Sequence, residues 1–118
     1  MKISEASAIC GLKIDTIRYY DSAGLIPKLE RGSDGQRRFS SENVEWLTLL
    51  FWLRETGMPM ERMREFAKLY AEGGPTIAER KAILLEHADV IERRRHSLDR
   101  CETVLKRKIE IYDALEQT

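Results

Sequence analysis

Long apolar runs are missing from this 118-residue chain. The longest, Trp46 to Leu53, has eight residues and contains Thr48, whereas a membrane helix needs roughly 18. The opening Met1-Lys2-Ile3-Ser4-Glu5 has no apolar stretch of the signal-peptide kind, so a cytoplasmic location is expected and no membrane partner. Cysteine is scarce, and Cys10 and Cys101 cannot build a disulfide framework or a C-x-x-C metal site. There is no paired-acid constellation, no Ser/His/Asp set and no phosphate-cradling glycine loop, so neither an enzyme nor a cofactor is expected. Net charge is absent as well, because 20 basic residues balance 20 acidic ones. Nucleic-acid-binding domains usually carry a basic excess, so neutrality taken alone argues against that class. Whether it does depends on where the charges lie.

What is present is a soluble composition, 42% hydrophobic and 34% charged, too apolar for wholesale disorder. Residues 1–40 hold seven bases and five acids, a balance of +2, and the remaining 78 residues balance at −2. Four of those bases, Lys28, Arg31, Arg37 and Arg38, fall in one segment that also contains Gly32 and Gly35. The punctuation predicts short helices followed by a long one. Ser4 is placed to cap a helix over Glu5 to Cys10, which Gly11 ends. A second helix is expected from Ile14 to Ala23, with Gly24 as its stop, Ile17 and Leu25 framing its buried side, and Pro27 forbidding continuation. Ser33-Asp34-Gly35 is a turn signal between two short arms, so Lys28 to Phe39 reads as a small β-hairpin. Ser40 or Ser41 caps a third helix running to Thr56, with Val44, Leu47, Leu50 and Phe51 on its core face. Pro59 opens a fourth, carrying Met60, Met63, Phe66, Ala67 and Tyr70. Gly73-Gly74-Pro75 closes that part of the chain.

From Thr76 to about Glu116 nothing interrupts a helix, which would span about 60 Å. Ile77, Leu84, Ile91, Leu98, Leu105 and Tyr112 recur at sevens. Ala88, Cys101, Ile109 and Leu115 partly fill a second seam position. Arg94, Arg95, Glu102 and Lys108 also fall near it, so the seam is imperfect. A stripe of this length on so small a protein implies a partner helix, and a second copy is the economical partner. The expected organisation is therefore a head over 1–75 and a dimerisation helix over 76–118.

The head carries Thr16-Ile17-Arg18-Tyr19-Tyr20-Asp21, then Gly24-Leu25-Ile26-Pro27, then Arg31 and Gly35-Gln36-Arg37-Arg38-Phe39. In these motifs, and across nearly the whole chain, the sequence resembles the MerR family of bacterial transcription regulators. The resemblance implies a mainly α fold: a winged helix-turn-helix, a helix pair, and a long C-terminal helix forming an antiparallel coiled-coil dimer. One departure is Ser7, where the family usually has alanine; serine is small enough to keep the helices close. The resemblance also implies a homodimer that grips a pseudo-palindromic promoter site and distorts the DNA between promoter elements for RNA polymerase. The alternative is a coiled-coil interaction module whose head docks protein.

The residues themselves agree with DNA binding. A short helix, a tight Gly11 turn and a second helix make a helix-turn-helix, whose second helix enters the major groove. Arg18 is a forked donor suited to guanine or phosphate. Lys13, Asp15 and Thr16 lie at the start of that helix, where base edges are met. Tyr19 and Tyr20 cannot share a face; the family resemblance implies that one contacts phosphate while the other packs. Lys28, Arg31, Gln36, Arg37 and Arg38 would form a wing on the DNA backbone. The dimer interface is expected at Ile77, Leu84, Ala88, Ile91, Leu98, Cys101, Leu105, Ile109 and Tyr112.

No metal is expected, because the cysteines that metal-sensing members carry around the dimerisation helix have no counterpart, and His87 and His96, which do not share a face, read as solvated. A large ligand-binding domain is not expected either, since the sequence stops at Thr118. Leu69 to Gly73 and Ala78 to Lys81 resemble a short branch associated with aldehyde and thiol-stress responses. Its sensing members place a cysteine in the third helix, where Trp52 stands here. Cys10 reads as structural and Cys101 as a small seam hydrophobe. Trp52 reads as core packing against the fourth helix. The sharper alternative is a small apolar effector pocket lined by Trp52, Met58, Met63 and Tyr70.

Overall fold

The computed structural model describes residues 1–118. Five helices and one hairpin follow in the order α1 (Ile3–Cys10), α2 (Ile14–Ser22), β1 (Glu30–Arg31), β2 (Arg37–Arg38), α3 (Ser41–Glu55), α4 (Met60–Glu72) and α5 (Ile77–Glu116). A single 3₁₀ turn, Gly74–Thr76, precedes α5. The chain separates into two compact units, Met1–Ile83 and Leu84–Thr118.

The first unit is organised by the turn between α1 and α2. Gly11 has φ +89°, a left-handed conformation that side chains disfavour, and a Cβ there would meet the Phe51 ring of α3 at 3.4 Å. The Ser7 hydroxyl donates to the Leu12 carbonyl at 2.5 Å, so the serine adds a bond across the turn. Buried Cys10 accepts from the Leu12 amide at 3.5 Å, a structural role as expected. The first helix begins two residues earlier than its sequence suggested. Lys2 is the N-cap, and Ser4 lies within the first turn. The Lys2 amide, a donor that the helix itself leaves unused, is met by the Glu5 carboxylate at 3.3 Å.

Ile17, Leu25, Leu47, Leu50 and Met63 are fully buried, joined by Phe39 from the end of the hairpin. Trp46 of α3 donates its indole N–H to the Leu25 carbonyl at 2.8 Å and stacks with both Phe66 and Tyr70 of α4, at 5.2 and 4.3 Å between ring centres. Thr76 caps the α4–α5 junction, its hydroxyl donating to the Leu69 and Gly73 carbonyls at 2.6 and 2.8 Å.

Two sequence expectations need correction. Trp52 is not core: it is 59% exposed, edge-on to Phe51, while Trp46 is 8% exposed. At 100° per residue the two tryptophans point to different sides of α3, and an almost continuous apolar run hides which side is buried. His87 is not solvated but 8% exposed, and burial lowers its pKa, with Arg94 adding to the effect.

In the second unit α5 carries exposed Leu98, Leu105, Ile109 and Tyr112, with Leu98 at 68%. Helix geometry separates the flanking seam residues into two rows. Ala88, Arg95, Glu102 and Ile109 stand four residues after the sevenfold positions, on one flank; Arg94, Cys101, Lys108 and Leu115 stand three after, on the other.

The N-terminus of α3 is held by Ser40, whose hydroxyl accepts from the Asn43 amide at 3.0 Å while the Asn43 side chain accepts from the Ser40 amide at 2.9 Å. Ser40→Ala is expected to cost about 1 kcal/mol, read as a lower urea midpoint at unchanged slope. An unchanged midpoint would show that this reciprocal cap contributes nothing.

Candidate nucleic-acid interface

The second helix sorts its residues by face. Ile17 and Tyr20 point inward, leaving Asp15, Arg18 and Tyr19 exposed. The ambiguity between the tyrosines is thereby resolved: Tyr19 is 51% exposed and Tyr20 4%. Burial pushes the Tyr20 phenol above its ordinary pKa. Tyr20 is therefore a packing residue, and its expected place on the DNA face is corrected. Tyr19 receives a hydrogen bond from Arg64 of α4 at 3.3 Å.

The hairpin pairs Glu30 with Arg38 and Arg31 with Arg37 in antiparallel register. Asp34 organises its turn by accepting from the Gln36 amide at 3.0 Å, and that hydrogen bond is the main cause of its lowered pKa. Arg38 binds the same carboxylate at 3.2 Å.

One carboxylate joins the helix to the hairpin. Asp21, at the end of α2, accepts from Arg37 Nε at 2.7 Å and lies 3.5 Å from Arg31 Nη2. The pair with Arg37 is largely shielded from solvent on both sides, where a charge-assisted bond is strongest. Arg31 also donates to the Gly35 carbonyl at 2.9 Å.

The result is a cleft of about 340 Å³ lined by Lys2, Ile3, Ser4, Arg18, Arg31, Gly35, Gln36 and Arg37. It contains four cationic side chains and no carboxylate. Arg18 has an exposed partner, Asp15, at 3.3 Å; a pair of that kind contributes little and can be exchanged for a phosphate or base edge. The remaining expected contacts lie elsewhere. Lys13 and Thr16 line a neighbouring cleft with Arg54 and Glu55. Lys28 and Arg38 line a third with Glu30 and Glu42. Lys28 has φ +67° and sits 4.3 Å from the centre of the Tyr70 ring, a cation–π contact.

The match to proteins of known family is decisive. The model described as MerR HTH family regulatory protein matches residues 1–69, and that described as MerR, DNA binding matches 44–108. This chain belongs to the MerR family. Among its relatives, the HTH-type transcriptional regulator AdhR of Bacillus subtilis is 34% identical over 86 residues, which are 73% of this chain and 61% of AdhR. An HTH-type regulator of Haemophilus influenzae, itself uncharacterized, is 31% identical over 92% of this chain and 81% of its own. The fold matches the crystal structure of HiNmlR, a MerR family regulator lacking the sensor domain, bound to promoter DNA, with a TM-score of 0.89 at 29% identity over 99% of this chain and 93% of that one. The chain is accordingly a DNA-binding regulator of MerR type.

Sequence reasoning overlooked three residues of this MerR surface. Lys2 joins the cleft because Met1 and Phe39 exchange backbone hydrogen bonds of 2.7 and 2.8 Å, a long-range pairing without a local signal. Arg64 reaches Tyr19 from a separate helix. Asp21 lies within the sequence motif, and nothing local to it signals that its carboxylate faces the hairpin. The four residues expected to line an apolar pocket are not brought together: Met58 and Met63 are buried, Trp52 points outward, and Tyr70 stacks on Trp46. Tyr70 instead donates to Glu42 at 2.6 Å, which raises its pKa.

Asp21→Asn gives a test by sign. Removing a negative charge beside DNA should by itself strengthen binding. Loss of the clasp on Arg37 is expected to weaken it instead, by roughly tenfold in fluorescence anisotropy with the protein's own upstream DNA. Tighter binding would mean that Asp21 does not position the wing.

Proposed function

We propose that this chain is a cytoplasmic homodimer that binds a pseudo-palindromic promoter site, one head on each half, and distorts the DNA between the heads to bring promoter elements into register for RNA polymerase. The division of labour follows the expectation from sequence: residues 1–75 bind DNA and 76–118 dimerise. The observation that carries this reading is the cleft between α1, α2 and the hairpin, whose charged lining is Lys2, Arg18, Arg31 and Arg37. Arg18 is its base- or phosphate-reading donor, and Arg31, Gln36 and Arg37 form a wing on the backbone. Lys13 and Thr16 extend the contact at the start of α2, and Lys28 and Arg38 extend it beyond the hairpin. Asp15 holds Arg18 until DNA takes its place.

The exposed sevenfold stripe of α5 supports the dimer. Side chains such as Leu98 and Tyr112 leave apolar surface in water at each sevenfold position, and a second copy buries it. Two linked heads then act together, so that the second contact is made at high effective concentration. Deforming the DNA costs several kilocalories, which the contacts at both heads offset.

Arg18→Ala is expected to weaken specific binding to the upstream region by about 10- to 100-fold, with the dimer intact by light scattering. Undiminished binding would remove Arg18 from the interface. Leu98→Asp should yield monomers in sedimentation velocity and lose cooperative binding to the two half-sites. A persisting dimer would place the interface on another face of α5.

A further inference from the structure

Packing explains the ring of Tyr20 but not its hydroxyl. The residue is 4% exposed, phenylalanine would fill the same space, and a polar group placed in the interior is costly unless a partner meets it. No group of the protein hydrogen-bonds the Tyr20 hydroxyl. Its oxygen is nevertheless not closed off, because every fully buried side-chain oxygen or nitrogen has a hydrogen-bond partner. It opens into the cleft of about 380 Å³ that the α1–α2 turn, α2 and the end of α3 enclose. Burial raises the phenol's pKa, and the charge of nearby Arg54 opposes that shift. The hydroxyl therefore keeps its proton at neutral pH and is available as a donor.

The groups around it are donors as well. Arg54 uses one N–H on the Met58 carbonyl, at 3.1 Å, and its planar fork carries others. Lys13 has no carboxylate partner, and the Thr16 hydroxyl makes no hydrogen bond within the protein. Helix α2 opens at Lys13 without a side-chain cap, and the unused amides of a first helical turn favour an anion. Glu55 is the one carboxylate of the lining, against two cations, and the remaining side chains, Leu12 and Phe51, are apolar.

We infer that this cleft is a binding site for a small organic carboxylate, whose oxygens are met by Tyr20, Arg54 and Lys13 and whose apolar body lies on Phe51 and Leu12. The near-complete enclosure of the phenol favours such an occupant over the DNA backbone. A phosphodiester carries a chain on both sides and in a duplex is held at the rim of a cleft, whereas a terminal carboxylate enters far enough to reach the hydroxyl. Occupant and DNA then share Lys13 and Thr16, so the acid weakens DNA binding. That consequence rests on the proposed function; the site itself does not.

The probe is benzoate, titrated into the full chain at constant ionic strength and followed by amide chemical shifts. Saturable shifts at Gly11, Thr16 and Arg54 are expected, in the millimolar range. Tyr20→Phe keeps the ring and is expected to weaken benzoate by about tenfold, the loss of one hydrogen bond to a charged group. Arg54→Gln should give a similar loss through a separate residue. Shifts that do not saturate, or a benzoate affinity unchanged in both variants, would overturn the site. In fluorescence anisotropy without benzoate, Tyr20→Phe should bind the upstream DNA as the parent does; weaker binding would mean that the hydroxyl meets a DNA phosphate, and the carboxylate assignment would fall. Added benzoate should release DNA from the parent more readily than from Tyr20→Phe, and equal release would overturn the overlap of the two sites. A chain that binds benzoate through Tyr20 but fails to bind the upstream DNA would uphold the site and overturn the proposed function, which keeps the two failures distinct.

Discussion

The basic cleft beside α2 depends on one carboxylate. Asp21 closes α2 and reaches across to Arg37 of the hairpin, with Arg31 beside it. Two guanidinium groups brought together at the base of a wing repel each other unless an anion lies between them. Asp21 supplies that anion from inside the protein, so the hairpin is fixed against α2. The contact engages Nε of Arg37, and the planar fork of arginine carries further N–H donors. Helix and hairpin are therefore held as one surface, and a rigid surface loses less conformational freedom when it binds anything.

Much of this was legible in the sequence because local chemistry fixed it. Glycine at 11, proline at 27 and 59, and the serine before α3 set the helix ends almost where they occur. The hairpin followed from Ser33-Asp34-Gly35. What the sequence hid was the choice between chemically equivalent neighbours. Tyr19 and Tyr20 are adjacent and identical, and the core selects Tyr20. Trp46 and Trp52 share an apolar run, and the indole bond to Leu25 selects Trp46. Lys2, Asp21 and Arg64 acquire their places through contacts distant in sequence, which neither periodicity nor composition encodes. The recognition motif could thus be found from residues 16–39, while the residues that orient it could not.

The neutrality of the chain also has a structural meaning. Acidic residues are not excluded from the head, but they are segregated within it. Glu30 and Glu42 border the cleft with Lys28 and Arg38, whereas the only charged side chains that line the cleft beside Arg18 are cations, with Asp15 and Asp21 behind them. A local excess of one sign can form on a chain whose charges balance, because what a nearby anion meets is set by how the charges are placed and not by their sum.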